Sequence, residues 1–168
     1  REHASLLGVR RYPFAVESDW YRGTAEIASF EPEELFGTKL RALLQRRRNR
    51  DLFDLHQGLE QLSLAPHKLI ACLDHYLTLE GNPITRAMAE QRMLEKLTRS
   101  LTEDVAPMLP AGVRWTNEDA IRAFERVWTE LIARISGDGW KLSGEIIAEL
   151  RAKRYPTLLM PRDRERSQ

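Results

Sequence analysis

The spacing of apolar positions changes once along the chain, at Phe30. Before that point it is close to two. Leu6–Ser18 carries Val9, Tyr12, Phe14 and Val16, and Trp20–Phe30 alternates at Ala25, Ile27 and Ser29. Such alternation predicts two short strands, with the turn at Ser18-Asp19. Two strands alone are marginal in water. They need a third strand or packed helices, so the pattern predicts the edge of a larger sheet whose remainder is not in this sequence.

After Phe30 the period becomes helical. Glu31-Pro32-Glu33-Glu34 reads as a helix start, because proline fits the first turn and acids favour the positive end of the helix dipole. Leu35, Phe36, Leu40, Leu43 and Leu44 then follow through about Arg47. Asn49 breaks the pattern. A second helix is predicted from about Asp51 to Gln61, with Leu52, Leu55, Leu59 and Leu62 on one stripe. A third runs from Pro66 to about Leu79 and is closed by Gly81-Asn82-Pro83. A fourth runs from Thr85 to about Asp104, with Met88, Met93, Leu94, Leu97 and Leu101 as its apolar residues. Pro107 to Gly112 reads as a loop. Thr116-Asn117-Glu118-Asp119 caps a fifth helix carrying Ile121, Phe124, Val127, Trp128, Leu131 and Ile135. Gly137-Asp138-Gly139 is a turn, and a short helix follows from Ser143 to about Arg154.

The expected fold is therefore α+β and mostly α: a short antiparallel β segment at the N-terminus, then a bundle of about five to six helices. Residues 1–30 form the strands, 31–160 a helical domain and 161–168 a polar tail. The stripe Phe124, Val127, Trp128, Leu131 reads as core, with an interface as the alternative.

Composition narrows the partners. A chain of 168 residues suits one domain with a real core. Basic and acidic residues number 26 and 25, so no global field draws in nucleic acid and any basic patch must be local. The single cysteine, Cys72, excludes an internal disulfide and a multi-cysteine zinc site, and its apolar surroundings imply packing. His56, His67 and His75 have no metal-ligand spacing with acidic partners and read as partly buried or surface residues. No apolar run approaches the roughly 20 residues of a membrane span. No secretory signal is present, so the expected location is the cytoplasm.

The local basic patch is Lys39–Leu55, KLRALLQRRRNRDLFDL, which holds one lysine, five arginines and two aspartates in 17 residues. Arg46, Arg47, Arg48 and Arg50 fall at the end of the first helix and in the turn, where cations meet the negative end of the dipole. Asp51 and Asp54 are three apart and share a face of the next helix. One reading is structural: Asp51 caps that helix, Asp54 stands at its third position, and the arginines are solvated. The other is a phosphate site.

The segment EELFGTKLRALLQRRRNRDLFDL resembles the C-terminal half of the AbiEii/AbiGii-type toxin nucleotidyltransferases, a branch of the polymerase-β-like superfamily. That branch has acidic residues, then TK, then A-L, then an Arg-rich turn and RD-x-x-D. Here these are Glu33-Glu34, Thr38-Lys39, Ala42-Leu43, Arg46–Arg48 and Arg50-Asp51-x-x-Asp54. The resemblance covers about Arg1 to Glu60, and the preceding strands fit it as well. It implies transfer of a nucleoside monophosphate from an NTP, with Mg²⁺, to an acceptor hydroxyl such as the 3′ end of tRNA. It also implies a cognate antitoxin as a partner. Lys39 and Asp54 would be catalytic: Lys39 offsets charge on the triphosphate, and Asp54 accepts a proton, orients the nucleophile or holds Lys39. Asp51 would brace Arg50 or Lys39, and Arg46, Arg47 and Arg48 would touch phosphate of NTP or RNA.

The resemblance also exposes a deficit. Relatives carry a Gly-Gly/Ser-Thr-type loop that cradles triphosphate and an Asp-x-Asp pair that holds Mg²⁺. Gly23-Thr24-Ala25 is similar to the loop only superficially, because it sits in a predicted strand and precedes no helix. Asp51 and Asp54 lie on a helix, so they are not the strand pair and no metal ligand is expected here. With Arg1 in place of an initiator methionine, the expectation is the C-terminal portion of a longer protein, inactive alone. A divergent short homologue is the alternative reading of the deficit. For function, the alternative is a non-catalytic helical module that binds RNA, an antitoxin or a second copy of the chain.

Overall fold

A computed structural model describes residues 4–98 and 101–154. Strands β1 (Val9–Glu17) and β2 (Arg22–Phe30) form an antiparallel hairpin in the register Val9↔Phe30 to Glu17↔Arg22. Its two faces differ. Cross-strand ion pairs Arg11–Glu26 and Arg22–Glu17 line one. Tyr12, Phe14 and Val16 share the other with Ile27, where Phe14 is 50% and Ile27 46% exposed. The apolar face is continuous with a hollow of about 360 Å³ walled by Leu35, Phe36 and Leu62.

Six α-helices follow: α1 (Pro32–Gln45), α2 (Arg50–Gln61), α3 (Pro66–Leu79), α4 (Arg86–Glu95), α5 (Asn117–Glu130) and α6 (Ser143–Arg151). The expected α+β class, two strands and then a helical bundle, is the observed one. Helix α1 packs on α2 and α3, and α2 packs on α5. Leu40, Leu43, Leu52, Leu55, Leu69, Leu73, Met93, Leu94, Phe124 and Leu131 fill the centre. The α5 stripe of Phe124, Val127, Trp128 and Leu131 is buried, so it is core. Cys72 is buried too, and burial, followed by the charges of Glu34 and Glu33, pushes its thiol up to about 11. It stays a packing residue.

Three helix ends depart from the apolar pattern. The fourth helix, expected to reach Asp104, is α-helical only to Glu95 and tightens to a 3-10 turn at Lys96–Thr98. Thr98 Oγ1 donates back to the Glu95 carbonyl, a local bond that competes with the helix ladder. Leu97, Leu101 and Val105 stay buried, so the stripe reports burial beyond the helix that began it. Arg99 and Ser100, placed in that helix by their spacing, lie outside the described residues. The fifth helix has the expected Thr116–Asp119 capping box but stops at Glu130. Ile132 and Ile135 continue its apolar face in and just beyond a 3-10 turn. Helix α6 ends at Arg151, short of the expected Arg154, and the proposed tail at 161–168 lies outside the described residues.

Gly37 sets the distance between α1 and α3. A Cβ there would lie 2.7 Å from the Cβ of Cys72 and 2.9 Å from the Leu69 carbonyl oxygen. Backbone cannot yield as a flexible side chain can. Gly37→Ala is expected to destabilise the chain by about 1–3 kcal/mol through overpacking. Urea unfolding measures this, and an unchanged midpoint would show that the helices separate freely.

Candidate nucleotide-binding corner

Helices α1 and α2 meet at the Arg46–Asn49 turn, and the charged side chains sort by depth. Lys39 Nζ donates to Asp54 Oδ2 at 2.6 Å and stands 3.8 Å from Asp51 Oδ1. The Lys39 and Asp54 side chains are 37% and 39% exposed, whereas Asp51 is 3%. The outer pair can exchange partners with solvent or a ligand, while the buried aspartate cannot leave. Asp51 Oδ2 is buried and accepts no hydrogen bond among the described residues, an arrangement that carries a desolvation cost.

The capping reading of these aspartates is corrected by the geometry. Helix α2 begins at Arg50, so Asn49 is its N-cap and Asp51 lies inside the first turn. Among the described residues no side chain caps this end, and Asp54 falls in the second turn. Both carboxylates turn toward Lys39 across the helix pair instead. Arg50 is half-buried and forms no ion pair with Asp51 among the described residues, so Lys39 is the cation that Asp51 faces.

Lys39 and Asp54 open into a cleft of about 300 Å³ whose apolar walls include Leu35, Phe36 and Leu62. Gly58 makes that cleft possible. A Cβ on it would stand 2.2 Å from the Phe36 ring, so only glycine lets the ring lie there. The sequence signal for this contact was weak, a lone glycine within a helical pattern.

Arg46, Arg47 and Arg48 are exposed, but they do not share the Lys39 cleft. Arg46 and Arg47 line a second groove, on the α3–α4 side of α1. Their backbone is held from beneath. Lys96 Nζ donates to the Arg46 and Arg48 carbonyls at 2.9 and 3.4 Å, and Asn49 N donates to Asp104 Oδ2 at 3.1 Å. Lys96 is 5% exposed. Apolar periodicity did not reveal its role, although it stands in register with Ala89 and Met93, and a charged residue in an apolar stripe is the signal that would have.

Two more buried carboxylates hold the frame. Glu34 accepts from Ser5 Oγ, from the Leu6 and Leu7 amides and from the Tyr76 hydroxyl. Burial alone would raise its pKa, but the Tyr76, Leu7, Ser5 and Leu6 hydrogen bonds outweigh it, and the net shift is downward. Glu90 accepts from Arg86, the Trp140 amide and Ser143, and so ties α4 to the start of α6. Burial also opposes ionisation there, and the bonds from Ser143, Arg86 and Trp140 again leave its pKa lowered. His56 packs beside Trp115, and burial lowers its pKa.

Among the described residues, no group of three or more His, Cys, Asp or Glu is placed to hold a metal ion. The ammonium of Lys39 already lies against both Asp51 and Asp54. That donor set does not fit Mg²⁺, and no step through a metal follows from these residues. Among the described residues no helix is long and apolar enough to cross a membrane.

No curated protein and no solved structure matches the chain. Residues 2–130 match the family described as "Nucleotidyl transferase AbiEii toxin, Type IV TA system". That span contains the hairpin, α1 to α4 and all of α5, together with Lys39, Asp51 and Asp54. The chain belongs to the AbiEii nucleotidyl transferase toxin family.

Proposed function

We propose that this chain supplies half of a nucleotidyltransferase site. A nucleoside monophosphate moves from an NTP to an acceptor hydroxyl, for which the 3′ end of tRNA is our candidate. A P–O bond forms between the acceptor oxygen and the α-phosphorus as the hydroxyl proton passes to solvent, the α–β bridging P–O bond breaks, and pyrophosphate leaves. The observation that carries this reading is Lys39 suspended between Asp54 and buried Asp51, within a family-matched segment.

Each residue then has a role. Lys39 leaves Asp54 for the triphosphate and offsets the charge that grows on the leaving group. Asp51 stays buried and keeps the ammonium in place. Asp54 holds Lys39 in position until substrate arrives. The Gly-Ser/Thr loop and the Asp-x-Asp pair implied by the resemblance are not in the sequence. The activity is accordingly assigned to a protein that carries both halves, with Mg²⁺ held by the other half and a cognate antitoxin as partner. The exposed apolar face of the hairpin supports this reading, since a two-stranded sheet is marginal unless that face is covered.

The test is incubation with labelled NTPs, Mg²⁺ and total RNA. Label transfer is expected from the protein carrying both halves and not from this chain alone. Transfer by this chain would overturn the division into halves. No transfer by either would favour a helical module that only binds.

A further inference from the structure

We propose that Lys96 and Asp104, which lie outside the Lys39 cleft, are positioning residues that set Lys39 against Asp51 and Asp54. The proposal deepens the transfer reading, on which it rests, by naming what keeps the ion cluster in register. Lys39 stands on α1 and both aspartates on α2, and the Lys39 ammonium lies 2.6 Å from Asp54 and 3.8 Å from Asp51. The two helices are joined by the Arg46–Asn49 turn. Whatever fixes that turn fixes the cluster.

One peptide unit of the turn is gripped from both sides. Lys96 Nζ donates to the Arg46 carbonyl at 2.9 Å and, less closely, to the Arg48 carbonyl at 3.4 Å. Asp104 Oδ2 accepts from the Asn49 amide at 3.1 Å. The Arg48 carbonyl and the Asn49 amide belong to the same peptide bond. Arg46 is the C-cap of α1, and Asn49, which is buried, is the N-cap of α2. An ammonium therefore meets the negative end of one helix dipole, and a carboxylate the positive end of the next. Both satisfy backbone groups at helix ends, where internal partners run out.

The early end of α4 makes this grip possible. Helix α4 stops at Glu95. An unbroken helix would set Lys96 and Asp104 roughly 12 Å apart along its axis. With the break, both side chains reach one peptide, and buried Leu97, Leu101 and Val105 anchor the segment in the core. Lys96 is itself buried, so its ammonium stays with these carbonyls and out of reach of a triphosphate.

Neither residue lines the cleft, so the clamp acts on chemistry through distance alone. Without it, α2 is free to shift against α1, and a misplacement of about 1 Å costs on the order of 10²-fold in rate.

Two measurements test the proposal, one of them without transfer chemistry. In this chain, acylation of Lys39 by an amine-reactive ester, followed by mass spectrometry, reports whether Asp54 holds the ammonium. Lys96→Met and Asp104→Ala should each raise the Lys39 rate toward that of Asp54→Asn, which removes the partner charge outright. Exposed Lys141 serves as the reference and should not change. In a protein carrying both halves of the site, each variant should lower kcat roughly tenfold per folded molecule and leave KM nearly unchanged. In the Lys39→Ala background neither should lower the rate further, because nothing is left to position. Melting curves give the folded fraction, and if Lys96→Met does not fold, Asp104→Ala carries the same comparison. A wild-type Lys39 acylation rate in the folded variants would overturn the proposal. So would wild-type kcat in them where Lys39→Ala is impaired, or a rise in KM with kcat unchanged. Full transfer by Lys39→Ala would sink the transfer reading instead, and the acylation rates would still decide whether the clamp holds the cluster.

Discussion

Lys39→Ala, made in a protein that carries both halves of the site, is expected to lower nucleotidyl transfer about 10²–10³-fold. That is the usual loss when one preorganised donor to developing charge is removed. The loss should fall on kcat more than on KM, because the ammonium matters most as the leaving group gains charge. Asp54→Asn should cost roughly 10²-fold if Asp54 works by holding Lys39, since a misplacement of about 1 Å is enough for that. The double variant then separates roles. Its rate should match that of Lys39→Ala alone, because a positioning residue has nothing left to position. Additive losses would show that Asp54 acts on the acceptor directly. Full activity in Lys39→Ala would end the assignment. Folding needs its own control, because Asp51 is 3% exposed and loses the cation it faces. A stability cost of about 1–3 kcal/mol is expected from that buried carboxylate. Rates are therefore compared per folded molecule, using the melting curve of each variant.

Glu34→Ala is expected to be the most damaging single change to stability, at about 3 kcal/mol. Glu34 is fully buried and accepts four hydrogen bonds that reach from the start of the chain to α3. Its loss removes the acceptor of the Leu6 and Leu7 amides, each a desolvation cost of about 1–3 kcal/mol unless water reaches it. Tyr76→Phe should cost about 1 kcal/mol and let the Glu34 pKa rise back toward 4.5. The sign of the pH dependence follows. The folded pKa of Glu34 lies below its ordinary 4.5, so its stabilisation is complete above 4.5 and is lost as pH falls through the lowered value. Glu90, lowered in the same direction, adds to the same acid limb. Denaturant melts at descending pH measure this. An acid limb unchanged in Tyr76→Phe would show that the hydroxyl does not hold the carboxylate ionised.

Both variants touch features that differ in how far the sequence discloses them. The charged corner was legible because its residues are consecutive. Seventeen residues contain Lys39, the arginines and both aspartates, and a helix–turn–helix must bring the first and last together. What it did not disclose is direction. Arg46 and Arg47 follow Lys39 closely in sequence yet face another groove, because the chain leaves the helix at Arg46. Nor did it show that Asp51 and Asp54 meet Lys39 and not the end of their own helix. Glu34 was legible as a first-turn acid and as part of the acidic pair that opens the family-like segment, but not as a buried carboxylate. Its buried role depends on Tyr76, 42 residues away, and on strand-leading amides that no local pattern connects to it.

The sequence by itself determined the order and kind of the elements, because a two-residue and a 3.6-residue period are properties of the local backbone. It also determined the family, through a run of charged and apolar residues in fixed order. Only the tertiary structure decided where α4 and α5 stop, which carboxylates are buried, and that Arg46 and Arg47 line a different groove from Lys39. Those outcomes depend on contacts such as Lys96 with the Arg46 carbonyl, 50 residues apart, and on the room left by Gly37 and Gly58. Local periodicity records which face of a helix is covered, but not what covers it.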